Sequence, residues 1–150
     1  METIAVQVNK KVVYEEVAKA TDYTGSKLLD NDEHARDRIL ATDEDLAEIG
    51  RFWDEAMLVV NERLKAMLVS GVCVGDSYKA TIEVSKAFDK ELTGSVESTL
   101  QNFFITSIIG QWFRYTNKAE AEGYLKQSVD FLDAVERLLY SRKRPKVPRE

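Results

Sequence analysis

The chain has 150 residues, 44% apolar and 31% charged, which fits one folded domain with a core of its own. A net charge of −5 argues against a general nucleic-acid binder. The single cysteine excludes an internal disulfide and fits a reducing compartment.

Met1 opens onto ETIAVQV, with no basic leader and no long apolar run, so no secretory signal is expected. Ile4, Val6 and Val8 alternate with polar neighbours and predict a strand over 3–8. Asn9 can cap a helix that begins at Lys10, carries Val13, Val17 and Ala20 on one face, and meets Gly25 beyond its end. Residues 26–42 are polar and read as loop, with one helical turn around Ala35–Leu40.

Thr42 and Asp45 form a capping-box-like start for the next helix, and Asp43 and Glu44 place negative charge where the helix dipole favours it. Leu46, Ile49, Trp53, Met57, Val60, Leu64 and Met67 then recur at steps of three and four, with Glu48, Glu55, Glu62 and Lys65 mostly off that stripe. The periodicity predicts a helix to about Leu68, stopped by Ser70 and Gly71. Phe52 and Val59 widen its apolar face.

The period changes to two at Tyr78, Ala80, Ile82 and Val84, which predicts a half-buried strand. Gly75 and Asp76 mark a turn between it and Val72-Cys73-Val74, so a hairpin is expected, which the N-terminal strand can join. Cys73, between valines, reads as a buried inert thiol.

A helix over about Gly94–Tyr115 turns Val96, Leu100, Phe103, Phe104, Ile108, Trp112 and Tyr115 inward. Ile105, Ile109 and Phe113 fall on another side, so FFITSIIGQWF (103–113) is apolar round most of its circumference. As a helix its eleven residues span only about 16 Å, against about 30 Å for a bilayer core, so it is no membrane span. Such a helix sits at the centre of a bundle or is covered by another chain. A last helix over Lys118–Tyr140 presents Tyr124, Phe131, Leu132, Val135, Leu138 and Leu139. The fold class is therefore mainly α: a bundle of about four helices with a small β-hairpin or short sheet, over a single helical domain at 1–141. Residues 142–150 are a basic tail that Pro145 and Pro148 keep extended.

Charge is unevenly placed. Residues 30–55 carry ten acidic side chains against three arginines, a local balance of −7, and the tail RKRPKVPRE has a balance of +4. Together they describe a molecule whose two ends attract different partners.

Catalytic chemistry is sparse. His34, the only histidine, lies in DNDEHARD, which lacks the glycine and spaced glutamate of a calcium loop and cannot supply a paired Glu-x-x-His site. No nucleophile elbow, Walker-type loop or dinucleotide fingerprint occurs. No catalytic residue, cofactor site or metal site is assigned, and a non-enzymatic role is expected.

Two segments, DEDLAEIGRFWDEAMLVVNERLKAM (43–67) and LQNFFITSIIGQWFRYTNK (100–118), resemble the small helical head–tail connector (adaptor) proteins of tailed bacteriophages. Shared features are the acidic start to a long amphipathic helix, and an apolar helix ending in an aromatic pair, an arginine and a polar stop. The N-terminal strand and helix, and the full helix after Asn117, depart from that pattern. The resemblance implies a homo-oligomeric ring beneath the portal, in the virion neck, touching portal and tail or neck proteins while DNA passes without specific binding. It implies no cofactor and no membrane. It makes Arg142, Lys143, Arg144, Lys146 and Arg149 the contact with an adjacent ring. Phe52, Ile105, Ile109 and Phe113, with Asp43, Glu44 and Asp45, become subunit-interface candidates. The alternative is a helical regulatory or scaffold protein that binds another protein through its basic tail. A nucleic-acid binder using RKRPK ranks third, because the body is negative.

Overall fold

The computed structural model describes residues 2–27 and 45–143. Elements run in the order β1 (Glu2–Asn9), α1 (Lys10–Lys27), α2 (Leu46–Arg63), β2 (Leu68–Val74), β3 (Ser77–Val84), a 3-10 turn (Lys90–Leu92), α3 (Thr93–Thr116) and α4 (Lys118–Leu139). The expected class, mainly α with a short sheet, is what forms.

The sheet is antiparallel, in the order β1-β3-β2. β1 runs along β3 from Glu2 opposite Val84 to Asn9 opposite Ser77, so the N-terminal strand does join the hairpin. Gly75, the first residue of the two-residue turn between β2 and β3, has φ +61°, a conformation that costs glycine nothing. Alternation turns Ile4, Val6 and Val8 of β1, and Tyr78, Ala80, Ile82 and Val84 of β3, onto one buried face. β2 is different. As an edge strand it leaves Val69, Val72, Val74 and Cys73 exposed. The expectation of a buried thiol is therefore corrected.

α1 starts where expected, with Asn9 Oδ1 accepting from Val12 N–H at 3.2 Å, but it continues through Gly25 to Lys27. α2 ends earlier than its periodicity predicts, with Leu64 as its C-cap. Leu68, Ser70 and Gly71, expected to end the helix, instead open β2. The strand ladder satisfies the backbone of this run, and pairing with β3 outweighs the helical period of Leu64 and Met67.

α3 lies at the centre, packed by α4, α2, α1 and β1. Trp53 of α2 meets Phe104 of α3 at 4.6 Å between ring centroids, and Tyr78 of β3 meets the same ring at 5.5 Å. Gly110 lets α4 approach closely, because a Cβ there would lie 2.7 Å from the Leu125 side chain and 3.1 Å from its backbone nitrogen. Fully burying a side chain such as Phe104 stabilises the fold by about 1.5–3 kcal/mol. Among the described residues no helix is long and apolar enough to cross a membrane.

Candidate functional site

The surplus apolar residues of α3 are covered by the chain itself. Ile109 and Phe113 are buried, Phe113 lies edge-on to Tyr124 of α4 at 5.4 Å, and Ile105 is partly buried against the same core. Phe52 is buried too, with its ring stacked on Tyr115 at 6.3 Å. Phe52, Ile109 and Phe113 are thus buried within the chain's own core, with Ile105 packed partly against it, which is the packing against the chain's own helices that their apolar excess also allows. The physical reason is the central position of α3, which packs against α4, α2, α1 and β1. Tyr115, expected inward, is 73% exposed, and Phe113 takes the inward place instead.

Charged candidates lie at the two ends. Asp45 immediately precedes α2 and makes no side-chain cap hydrogen bond there. Thr42, Asp43 and Glu44, the expected turn at Ala35–Leu40 and the run around His34 lie outside the described residues. So do Arg144, Lys146 and Arg149. Arg142 and Lys143 follow α4, and Lys143 N–H donates to the Ala87 carbonyl at 2.7 Å, fixing where the basic tail leaves the body.

Contacts along α2 fix its direction. Near its start, Phe52 stacks on Tyr115, close to the end of α3. At its end, Arg63 reaches Asp133 at 2.8 Å and Glu136 at 3.4 Å, near the end of α4. α2 is thus antiparallel to α3. The acidic start of α2 sits at one end of the bundle and the basic exit beside Ala87, just ahead of α3, at the other. Eighteen residues of α2 separate them along the axis, roughly 27 Å at 1.5 Å per residue.

A concavity of about 810 Å³ lies along α3 and α4, with Tyr115, Leu125 and Val129 as apolar lining. Arg114, Lys118 and Lys126 surround it, with Glu122 the one carboxylate among the described lining residues. Sequence periodicity gave no sign of it, because its lining comes from two helices. Its only signal was Tyr115 beside Arg114 at the end of an apolar run.

Two tyrosines have raised pKa values, both pushed up to about 12. Tyr78 owes this to burial, and Tyr14 to burial with added repulsion from Asp54 and Cys73. The Tyr78 hydroxyl donates to Asn61 Oδ1 at 2.6 Å, and the Tyr14 ring lies edge-on to Trp53. Trp53 Nε1 is buried without a partner among the described residues. No group of three His, Cys, Asp or Glu side chains among the described residues is placed to hold a metal ion.

No family model, curated protein or solved structure matches the chain.

Proposed function

We propose that the chain is a structural head–tail connector, a homo-oligomeric ring component of the neck of a tailed phage. The observation that carries this reading is the separation of two oppositely charged segments of the chain. The acidic start of α2 and the basic exit after α4 lie at opposite ends of one bundle. A protein joining two different assemblies needs two unlike ends, and charge of opposite sign gives each end its own preferred neighbour. The resemblance of residues 43–67 and 100–118 to phage adaptors names those neighbours as portal and tail or neck proteins.

In this reading no residue is catalytic. The tail from Arg142, with Arg144, Lys146 and Arg149, docks on an acidic surface of the adjacent ring. Asp43, Glu44 and Asp45 face a neighbour's basic group or the DNA channel, where negative walls let DNA pass without adhering. The site of action is the virion neck, after assembly in the host cytoplasm.

The test is affinity capture from the source lysate, comparing the full chain with one truncated after Ser141. Portal or tail proteins retained by the full chain alone would support a connector docked by its tail. Equal retention would keep the connector and remove the tail's role. Retention of no virion protein by either form would overturn the reading in favour of a regulatory or scaffold protein.

A further inference from the structure

The outer face of α2 carries an acidic ridge whose described ion pairs are all to exposed neighbours on the same stretch of chain. Glu48, Glu55 and Glu62 recur every seven residues and so fall in one line along the helix. Beside that line Leu58 is 67% exposed, and Val59 is exposed too. Glu48 pairs with Arg51, and Glu62 with Lys65, only through exposed neighbours three residues away, contacts worth little in water.

The α3–α4 groove has the opposite character. Lys118, Leu125 and Val129 lie along one stripe of α4, with Tyr115 across from them and half of Val129 exposed. Arg114 donates to Gln111, and none of Arg114, Lys118 and Lys126 is ion-paired to a described carboxylate. Three cations against one carboxylate, Glu122, therefore surround an apolar centre here, as carboxylates flank one on the ridge.

We propose that the groove at Tyr115, Leu125 and Val129 receives the outer face of α2 of a second copy. Leu58 and Val59 enter the apolar lining while Glu48, Glu55 and Glu62 meet Arg114, Lys118 and Lys126. Charge complementarity selects the occupant, because ridge and groove match in sign and each has its apolar residues between its charges. Ridge and groove are different patches, so the contact can repeat from copy to copy and close into a ring. The inference rests on the homo-oligomer of the connector reading and names its subunit contact.

The test is sedimentation velocity on the full chain and three variants: Lys118→Glu with Lys126→Glu, Glu55→Lys with Glu62→Lys, and all four together. These side chains are exposed or half-buried, and circular dichroism checks that each variant stays folded. Each double reversal is expected to weaken self-association at least about tenfold, since like charges are then opposed, and the fourfold swap to restore it. Assembly unchanged by either reversal, or a wild-type chain that stays monomeric at its highest soluble concentration, would overturn the groove contact. Lysate capture separates this from the connector reading. A monomer that still retains virion proteins leaves the connector standing, and groove-dependent assembly retaining none leaves the contact without the connector.

Discussion

The Tyr78 hydroxyl donates to Asn61 Oδ1 over 2.6 Å, and the same amide's Nδ2 donates to the Gly71 carbonyl at 3.1 Å. One side chain of α2 thereby ties β3 to β2, and it does so beside the Trp53–Phe104–Tyr78 aromatic cluster. Replacing Asn61 by Ala removes both bonds and leaves a buried hydroxyl with no acceptor. The expected cost is about 1–3 kcal/mol, read as a lower urea midpoint with an unchanged slope. An unchanged midpoint would mean that the amide is dispensable.

The same hydroxyl governs alkaline stability. Burial pushes Tyr78 and Tyr14 up to about 12, against about 10 in the unfolded chain. Between these values the folded state holds protons that the unfolded state has released, so stability falls as pH rises. Their contribution is fully present below about pH 10 and is lost through about pH 12. Urea melts from pH 8 to pH 12 should show a flat region and then a decline, and Tyr78→Phe should make the decline shallower. An identical slope in that variant would remove Tyr78 as a cause.

Gly110 and Gly123 should respond oppositely to alanine. At Gly110 a Cβ meets the Leu125 side chain and, at 3.1 Å, its backbone nitrogen, so α3 and α4 must separate. Overpacking of that kind costs about 1–3 kcal/mol, more than the roughly 1 kcal/mol of helix propensity gained. At Gly123 nothing lies within 4 Å of the added carbon, and the propensity gain of up to about 1 kcal/mol stands alone. Thermal melts should place Gly110→Ala below and Gly123→Ala above the parent. Equal shifts would refute the close approach.

What could be read in the sequence was what depends on local periodicity. The helix from Thr93 to Thr116 and the one from Lys118 were bounded to within a residue or so, and the alternation of Tyr78–Val84 gave the central strand. Two misplacements have one origin, the neighbour across space. Cys73 lies opposite Tyr78, whose side chain is buried, yet β2 is the sheet's outer strand and its own side chains stay uncovered. Leu68, expected as the end of the long helix, pairs with Ile82 instead. The groove at Tyr115 and Val129 was invisible for the same reason, since its lining comes from two helices and no single period encodes how they meet. The acidic ridge, by contrast, was plain in the spacing of Glu48, Glu55 and Glu62.

Arg63 closes the far end of the bundle. Its guanidinium reaches both Asp133 and Glu136, and the hydrogen bond it donates to Asp133, with the negative charge of both carboxylates, raises its pKa against the opposing effect of burial. One third of the Arg63 side chain is exposed, so solvent screens the pair and the expected loss for Arg63→Ala is only about 1 kcal/mol. That loss should shrink as salt is raised from 0.05 to about 1 M, where the Debye length falls to about 3 Å. A double-mutant cycle of Arg63→Ala with Asp133→Asn, run at both salt concentrations, isolates the pair from the packing of the arginine stem. A coupling energy near zero at both salt concentrations, beside a loss in Arg63→Ala itself, would show that Arg63 holds α2 to α4 through its methylenes and not through its charge.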